Sequence, residues 1–153
     1  MGKVLDRKNL KKVCKKLRAE GNKLVFTNGC FDILHKGHVR YLRRAKKLGD
    51  ILVVGINSDR SVSAIKPGRP VNSEKDRAEI ISSLVMVDYV VVFNEKTPYR
   101  LIKSVGPDVL VKGGDWKKED IIGSDIVKET YSLPFVRGVS TTSIIEKVLR
   151  LSS

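Results

Sequence analysis

The 153-residue chain contains no glutamine, one tryptophan, two histidines and two cysteines, and 6% of it is aromatic. Two cysteines make no disulfide framework: Cys14 falls at the helical spacing of Leu10, Val13 and Leu17, and Cys30 sits in a glycine-containing loop, so a reducing compartment suits both. No stretch approaches the roughly 20 apolar residues of a membrane-spanning helix, and residues 1–16 lack the apolar run of a signal peptide. The expectation is a cytoplasmic protein with no membrane partner. The scarcity of aromatics bears on the net charge of +13. Lys8, Lys11, Lys12, Lys15, Lys16 and Arg18 crowd one helix, yet no aromatic side chains interleave with them as a single-strand stacking platform requires. They read as a solvated face, with nucleic acid an unfavoured partner, although positive potential would draw small polyphosphates. Absent glutamine beside abundant Lys, Arg and Glu is a thermophile-like composition. A Walker A loop and a G-x-G-x-x-G loop are both missing, which leaves the two commonest nucleotide-binding loops unsupported.

What is present alternates. Residues 1–22 form a helix ahead of the sheet, ended by Gly21; apolar runs at 23–27, 51–56, 87–93, 109–111 and 133–136 then read as strands, separated by helical periodicity. The run at 51–56 is continuously apolar, as in a parallel strand covered on both faces. Ser73 with Asp76, Thr97 with Pro98, and Ser140 or Thr141 supply helix starts. The expected fold is α/β: one domain over 1–153, a Rossmann-like, doubly wound parallel five-stranded sheet with helices on both faces. Ligands of such sheets sit beyond the carboxyl ends of the strands, so residues 28–36, 57–72, 112–118 and 137–142 should ring one pocket.

The first of these loops reads T-N-G-C-F-D-I-L-H-K-G-H and holds both histidines, His35 and His38. Gly29 lets backbone N–H groups approach an anion, and a helix starting near Lys36 points its positive end at the same place. Three residues apart at a helix start, His35 and His38 can donate N–H bonds to one set of phosphate oxygens. Helix capping or plain packing is the bland alternative. Metal ligation with Cys30 or Asp32 is a further one, but no other histidine and only the core-facing Cys14 remain to complete a zinc site, so no protein-ligated metal is expected.

The run G-C-F-D-I-L-H-K-G-H resembles the G-x-F-D-x-x-H-x-G-H signature of the cytidylyltransferase-like nucleotidyltransferases. Downstream, R-G-V-S-T-T-S-I from Arg137 resembles the segment that opens the family's last helix, with Arg137 closer to the serine than in the glycerol-phosphate branch. Further segments, G-I-N-S-D from Gly55, R-P-V-N from Arg69 and L-V-K-G-G-D-W from Leu110, resemble the branch that transfers AMP from ATP to a heptose 1-phosphate. Asn28 and Cys30, where other branches have a plain G-T-F-D, lean the same way.

The resemblance implies an in-line transfer without a covalent enzyme intermediate, giving ADP-heptose and pyrophosphate, with Mg²⁺ accompanying ATP. Alternatives are transfer from CTP to glycerol 3-phosphate or from ATP to FMN and, from another class, an RNA-binding module. His35, His38 and Lys66 are the expected catalytic groups. Asn28, Gly29, Cys30, Phe31, Gly37, Arg69, Lys112, Gly113, Gly114, Arg137, Ser140, Thr141 and Thr142 are expected to hold nucleotide and phosphates. Asp32, Asn57, Asp59, Arg77, Asp115 and Trp116 are candidates for substrate contact: the carboxylates and Asn57 for sugar or ribose hydroxyls, Trp116 for the base, and Arg77 for phosphate, with Arg77 read equally as a surface helix charge. Dimers are common in the family, so a homodimer is expected.

Overall fold

A computed structural model describes residues 2–153; Met1, the first residue of the expected domain, lies outside them. In chain order the elements are β1 (Lys3–Val4), α1 (Arg7–Ala19), β2 (Leu24–Gly29), α2 (Lys36–Lys46), β3 (Ile51–Asn57), α3 (Asp59–Ile65), α4 (Glu74–Ser82), β4 (Tyr89–Phe93), α5 (Tyr99–Val105), β5 (Val109–Gly113), β6 (Glu129–Leu133) and α6 (Thr141–Ser152). Two short 3₁₀ turns, Lys118–Asp120 and Ser124–Ile126, lie between β5 and β6. The sheet is wholly parallel in the order β1-β4-β3-β2-β5-β6. Strand order reverses direction about β2, where Thr27 is flanked by Val54 on one side and Val111 on the other.

Strand alternation feeds two cores. Val25, Leu52, Val54, Ile56, Val109 and Val111 meet Leu42 and Ala45 of α2 and Ala78 and Ile81 of α4. Their neighbours Phe26, Val53, Val91 and Leu110 point the other way, onto Leu10 and Cys14 of α1 and Leu101, Ile102 and Val105 of α5. Both faces are therefore apolar, which produces the continuous hydrophobic runs of these strands. Each fully buried Leu, Ile or Phe in them stabilises by roughly 1.5–3 kcal/mol. Among the described residues no helix is long and apolar enough to cross a membrane.

The structure corrects the expected element list in four places. A sixth strand precedes α1: Lys3 and Val4 pair with Tyr89 and Val90 on the sheet edge. Two residues are too few for alternation to register, and the helix expected from residue 1 starts instead at Arg7, capped by Asp6, which accepts from Asn9 N–H. Residues 59–65, expected as loop, form α3, with Ser58 capping Ser61 N–H and Val62 buried. The last strand lies at 129–133 rather than 133–136; the more apolar Pro134, Phe135 and Val136 turn instead onto a cavity wall. Pro98, not Thr97, stands at the N-cap of α5, with no side-chain cap bond.

Candidate active site

Beyond the carboxyl ends of β2, β3 and β5, the loops and the first turns of α2 and α6 enclose a cavity of about 710 Å³. His35 is the N-cap of α2, and its Nδ1 accepts the Gly37 N–H at 3.1 Å. His38, one turn on, returns the arrangement: its Nδ1 accepts the His35 N–H at 3.3 Å. With both Nδ1 atoms acting as acceptors, the hydrogen of each neutral ring sits on Nε2, leaving two N–H donors for a ligand. The rings stack at 3.8 Å, and Phe31 meets His38 edge-on at 5.3 Å. Burial, followed by the nearby His35 and Lys66, pushes the His38 pKa down to about 4, and burial lowers that of His35. The pair is uncharged at neutral pH and has its polarity fixed before any anion arrives.

The signature glycines follow from this packing. A Cβ at Gly37 would stand 2.9 Å from the His35 ring, and one at Gly29 would stand 2.9 Å from Phe31 Cε2. Phe31 itself adopts φ +48, a left-handed conformation costly for a bulky residue, and it places the ring beneath His38.

A second helix opens on the same cavity. Ser140 caps α6 by accepting the Ser143 N–H at 3.0 Å, while Ser143 Oγ accepts the Ser140 N–H at 3.1 Å. Thr141 Oγ1 donates to Ile33 O at 3.3 Å, tying this turn to the histidine loop, and Arg69 Nη2 donates to Thr142 Oγ1 at 3.1 Å. The unpaired N–H groups and positive dipole end of this first turn suit an anion. Arg40, Arg44, Lys66, Lys96 and Lys112 line the cavity, and no Asp or Glu does. Lys112 is half-buried, and burial lowers its pKa against a smaller upward effect from Cys30.

Of the residues expected from sequence, Asn28, Gly29, Cys30, Phe31, His35, Gly37, His38, Asn57, Lys66, Lys112, Gly113, Ser140, Thr141 and Thr142 line this cavity. Arg69 reaches it through Thr142. Gly114, Asp115, Trp116 and Arg137 stand outside its wall; the Trp116 indole is half-exposed and donates to Gly113 O at 3.1 Å, with Lys112 Nζ 5.6 Å from the ring centre. Arg77 requires correction: it is no surface charge, being fully buried, and protein atoms take four of its five N–H donors. Asp32 is likewise engaged, by the N–H groups of Val71 and Asn72, and Asp59 by Arg77.

Sequence reasoning missed several wall residues. Gly37, Arg40, Tyr41 and Arg44 recur every three or four positions along α2, a periodicity that would have flagged Arg40, Tyr41 and Arg44 once His38 was placed. Lys96, Ile122, Phe135, Val136 and Val139 come from irregular segments and carried no such signal.

No group of three or more His, Cys, Asp or Glu side chains among the described residues is arranged to hold a metal ion. What the cavity does offer is neutral N–H donors, two helix N-termini and cations, a chemistry that favours an anionic ligand. Residues 26–147 match the family model described as Cytidylyltransferase-like. The chain belongs to the cytidylyltransferase-like family. It is also similar to longer proteins: it is 53% identical over 147 residues to the bifunctional protein HldE of Wolinella succinogenes, covering 95% of this chain and 31% of that one. Against the bifunctional protein HldE of Helicobacter pylori strain J99 the identity is 56% over 142 residues, covering 92% and 31%. The chain thus spans about a third of the length of these curated relatives. A solved structure, the lipopolysaccharide core biosynthesis protein from Thermoplasma volcanium, superposes with a TM-score of 0.64 at 32% identity, covering 76% of this chain and 99% of that one. As a cytidylyltransferase-like domain, the chain has the fold and the signature loop of a nucleotidyltransferase.

Proposed function

We propose that this chain transfers AMP from ATP to a heptose 1-phosphate, releasing pyrophosphate. The observation that carries the reading is the pair of neutral, tautomer-fixed histidines that opens α2 and shares with the first turn of α6 a cationic wall free of carboxylates. A sugar phosphate is largely dianionic at neutral pH and attacks without a general base. The remaining work is to hold two polyanions in line and to neutralise charge as the leaving group departs. In this reading His35 and His38 donate from Nε2 to the α-phosphate as charge builds. Lys66 reaches the phosphates from the exposed end of α3, and Ser140, Thr141 and Thr142 hold the β- and γ-phosphates. The route is a single in-line displacement.

Mg²⁺ fits this wall only as an ion carried on the triphosphate, because Asn28, Asn57 and hydroxyls are the oxygens on offer and carboxylates are absent from it. Carried there, it would lower the net charge of the nucleotide and supply Lewis-acid polarisation of the phosphate under attack. The branch rests on Asn28, Cys30 and the R-P-V-N and K-G-G-D-W segments, and the extensive identity to HldE proteins supports it. A relative named for lipopolysaccharide core biosynthesis agrees with a carbohydrate acceptor. Dependence on ATP goes with a cytoplasmic location.

Pyrophosphate release, measured with Mg²⁺ for ATP, CTP, GTP and UTP against heptose 1-phosphate, glycerol 3-phosphate and FMN, is the test. Release confined to ATP with the heptose phosphate is expected. Release with another pair keeps the chemistry and overturns the acceptor, and salt-sensitive RNA binding with no release on any pair would overturn both.

A further inference from the structure

Arg77 is fully buried and lies away from the cavity wall, yet it binds two residues of that wall, Cys30 and Asn57, and two residues, Asp59 and Asn72, that bracket the segment carrying Lys66. Its Nη1 donates to Cys30 O at 2.7 Å, just past the end of β2, and to Asn57 O at 2.8 Å, the last residue of β3. Its Nε donates to Asn72 O at 3.0 Å, and Nη2 pairs with Asp59 at 2.9 Å. Asp59 opens α3 and Asn72 closes the loop that follows, so both ends of the segment carrying Lys66 and Arg69 are fastened to one guanidinium. Asp32, 4% exposed, adds a second fastening: its carboxylate accepts from Val71 N–H at 2.8 Å and Asn72 N–H at 2.9 Å, while its carbonyl accepts from Asn72 Nδ2 at 3.0 Å. Between these anchors Lys66, Pro67 and Gly68 are exposed, and Gly68 has φ +80.

We infer that Arg77 and Asp32 are positioning residues: a buried clasp that sets where the Lys66–Arg69 segment stands relative to the histidine pair, touching no substrate themselves. A lysine would not serve here, because only the planar fork reaches the carbonyls of Cys30, Asn57 and Asn72 and the Asp59 carboxylate together. The free middle of the segment can then move over the phosphates while its ends stay in register with His35 and His38. The inference rests on the proposed transfer for its kinetic meaning, and on the hydrogen bonds alone for its structural meaning.

A double-mutant cycle with Arg77→Lys and Lys66→Ala separates positioning from general support. Arg77→Lys alone should lower kcat about ten- to a hundredfold, the scale of a misplacement near 1 Å, with the KM for the acceptor changed less than about threefold. In the Lys66→Ala background the same substitution should cost less than about threefold, because the group it positions is gone. Amide exchange in 66–72 should quicken in Arg77→Lys while β2 and β3 keep their protection. Multiplicative losses, or unchanged exchange in 66–72, overturn the inference. Should Arg77→Lys not fold, Asp32→Asn carries the same cycle and the same exchange signature. The exchange arm needs no turnover, so a wild-type protein silent on every nucleotide and acceptor would sink the proposed transfer and still leave the clasp to be judged.

Discussion

His38 shows how much a single side chain's surroundings decide. Its spacing from His35 was visible in sequence, and so was the helix start beneath it; the tautomer and the charge were not. They come from the His35 N–H, the stacked ring and burial, all products of the folded loop. A free histidine titrates near 6.5, whereas here the pKa falls to about 4. Between those values the unfolded chain binds the proton and the native state does not, so this residue's contribution to stability is complete above about pH 6.5 and is lost as the pH falls towards 4. Melting temperature should therefore drop over that window, and His38→Gln should flatten the slope; an equal slope in the variant would contradict a buried neutral ring. At neutral pH His38→Ala, which removes the Nε2–H donor outright, should lower turnover about a hundredfold, the usual loss of a donor that acts in the transition state. Arg77 is the opposite lesson. A lone arginine in a charged helix looks like a solvated residue, and nothing in local sequence reveals that three backbone carbonyls and Asp59 converge on it.

At the scale of elements, α6 depends on its first turn. Ser140 and Ser143 form a reciprocal cap, and Thr141 fastens the turn to Ile33. No residue of the helix is fully buried, and Val148, Leu149 and Leu151 are each more than half exposed, so packing gives this helix less support than it gives α2 or α4. Ser140→Ala should remove about 1 kcal/mol of local helix stability. Because the same turn is the proposed phosphate cradle, the KM for ATP should rise while global melting moves little; a large drop in melting with unchanged KM would assign Ser140 to the fold alone. Elements of this length with a cap and strong periodicity were legible in the sequence. The exceptions are instructive: β1 is held by edge pairing to β4, α3 is a seven-residue helix with only Ser61 and Val62 buried, and β6 carries polar residues because it is an edge strand beside 3₁₀ turns. Each owes its state to tertiary neighbours more than to its own pattern.

Over the whole molecule the charge is unevenly useful. A total of +13 was plain from composition, and so was the lysine-rich α1, but which cations face a ligand depended on how the sheet sorts its helices. α1 packs through Leu10 and Cys14 on the face opposite α2, whereas Arg40 and Arg44 of α2 stand at the cavity with Lys66, Lys96 and Lys112. Cations gathered around a concave mouth without carboxylates raise the local concentration of a polyanion and speed its capture. Such attraction reaches about 10 Å at 0.1 M salt and about 3 Å at 1 M. Raising ionic strength should thus lower kcat/KM for ATP several-fold while kcat, set after capture, changes little. Neutralising Arg40 and Arg44 together by glutamine should flatten that salt slope, and neutralising Lys8 and Lys12 should leave most of it in place. If the α1 pair mattered as much as the α2 pair, the field of the whole surface rather than the mouth would be steering the nucleotide. The lysines of the first helix would then be part of the substrate's approach rather than a solvated face.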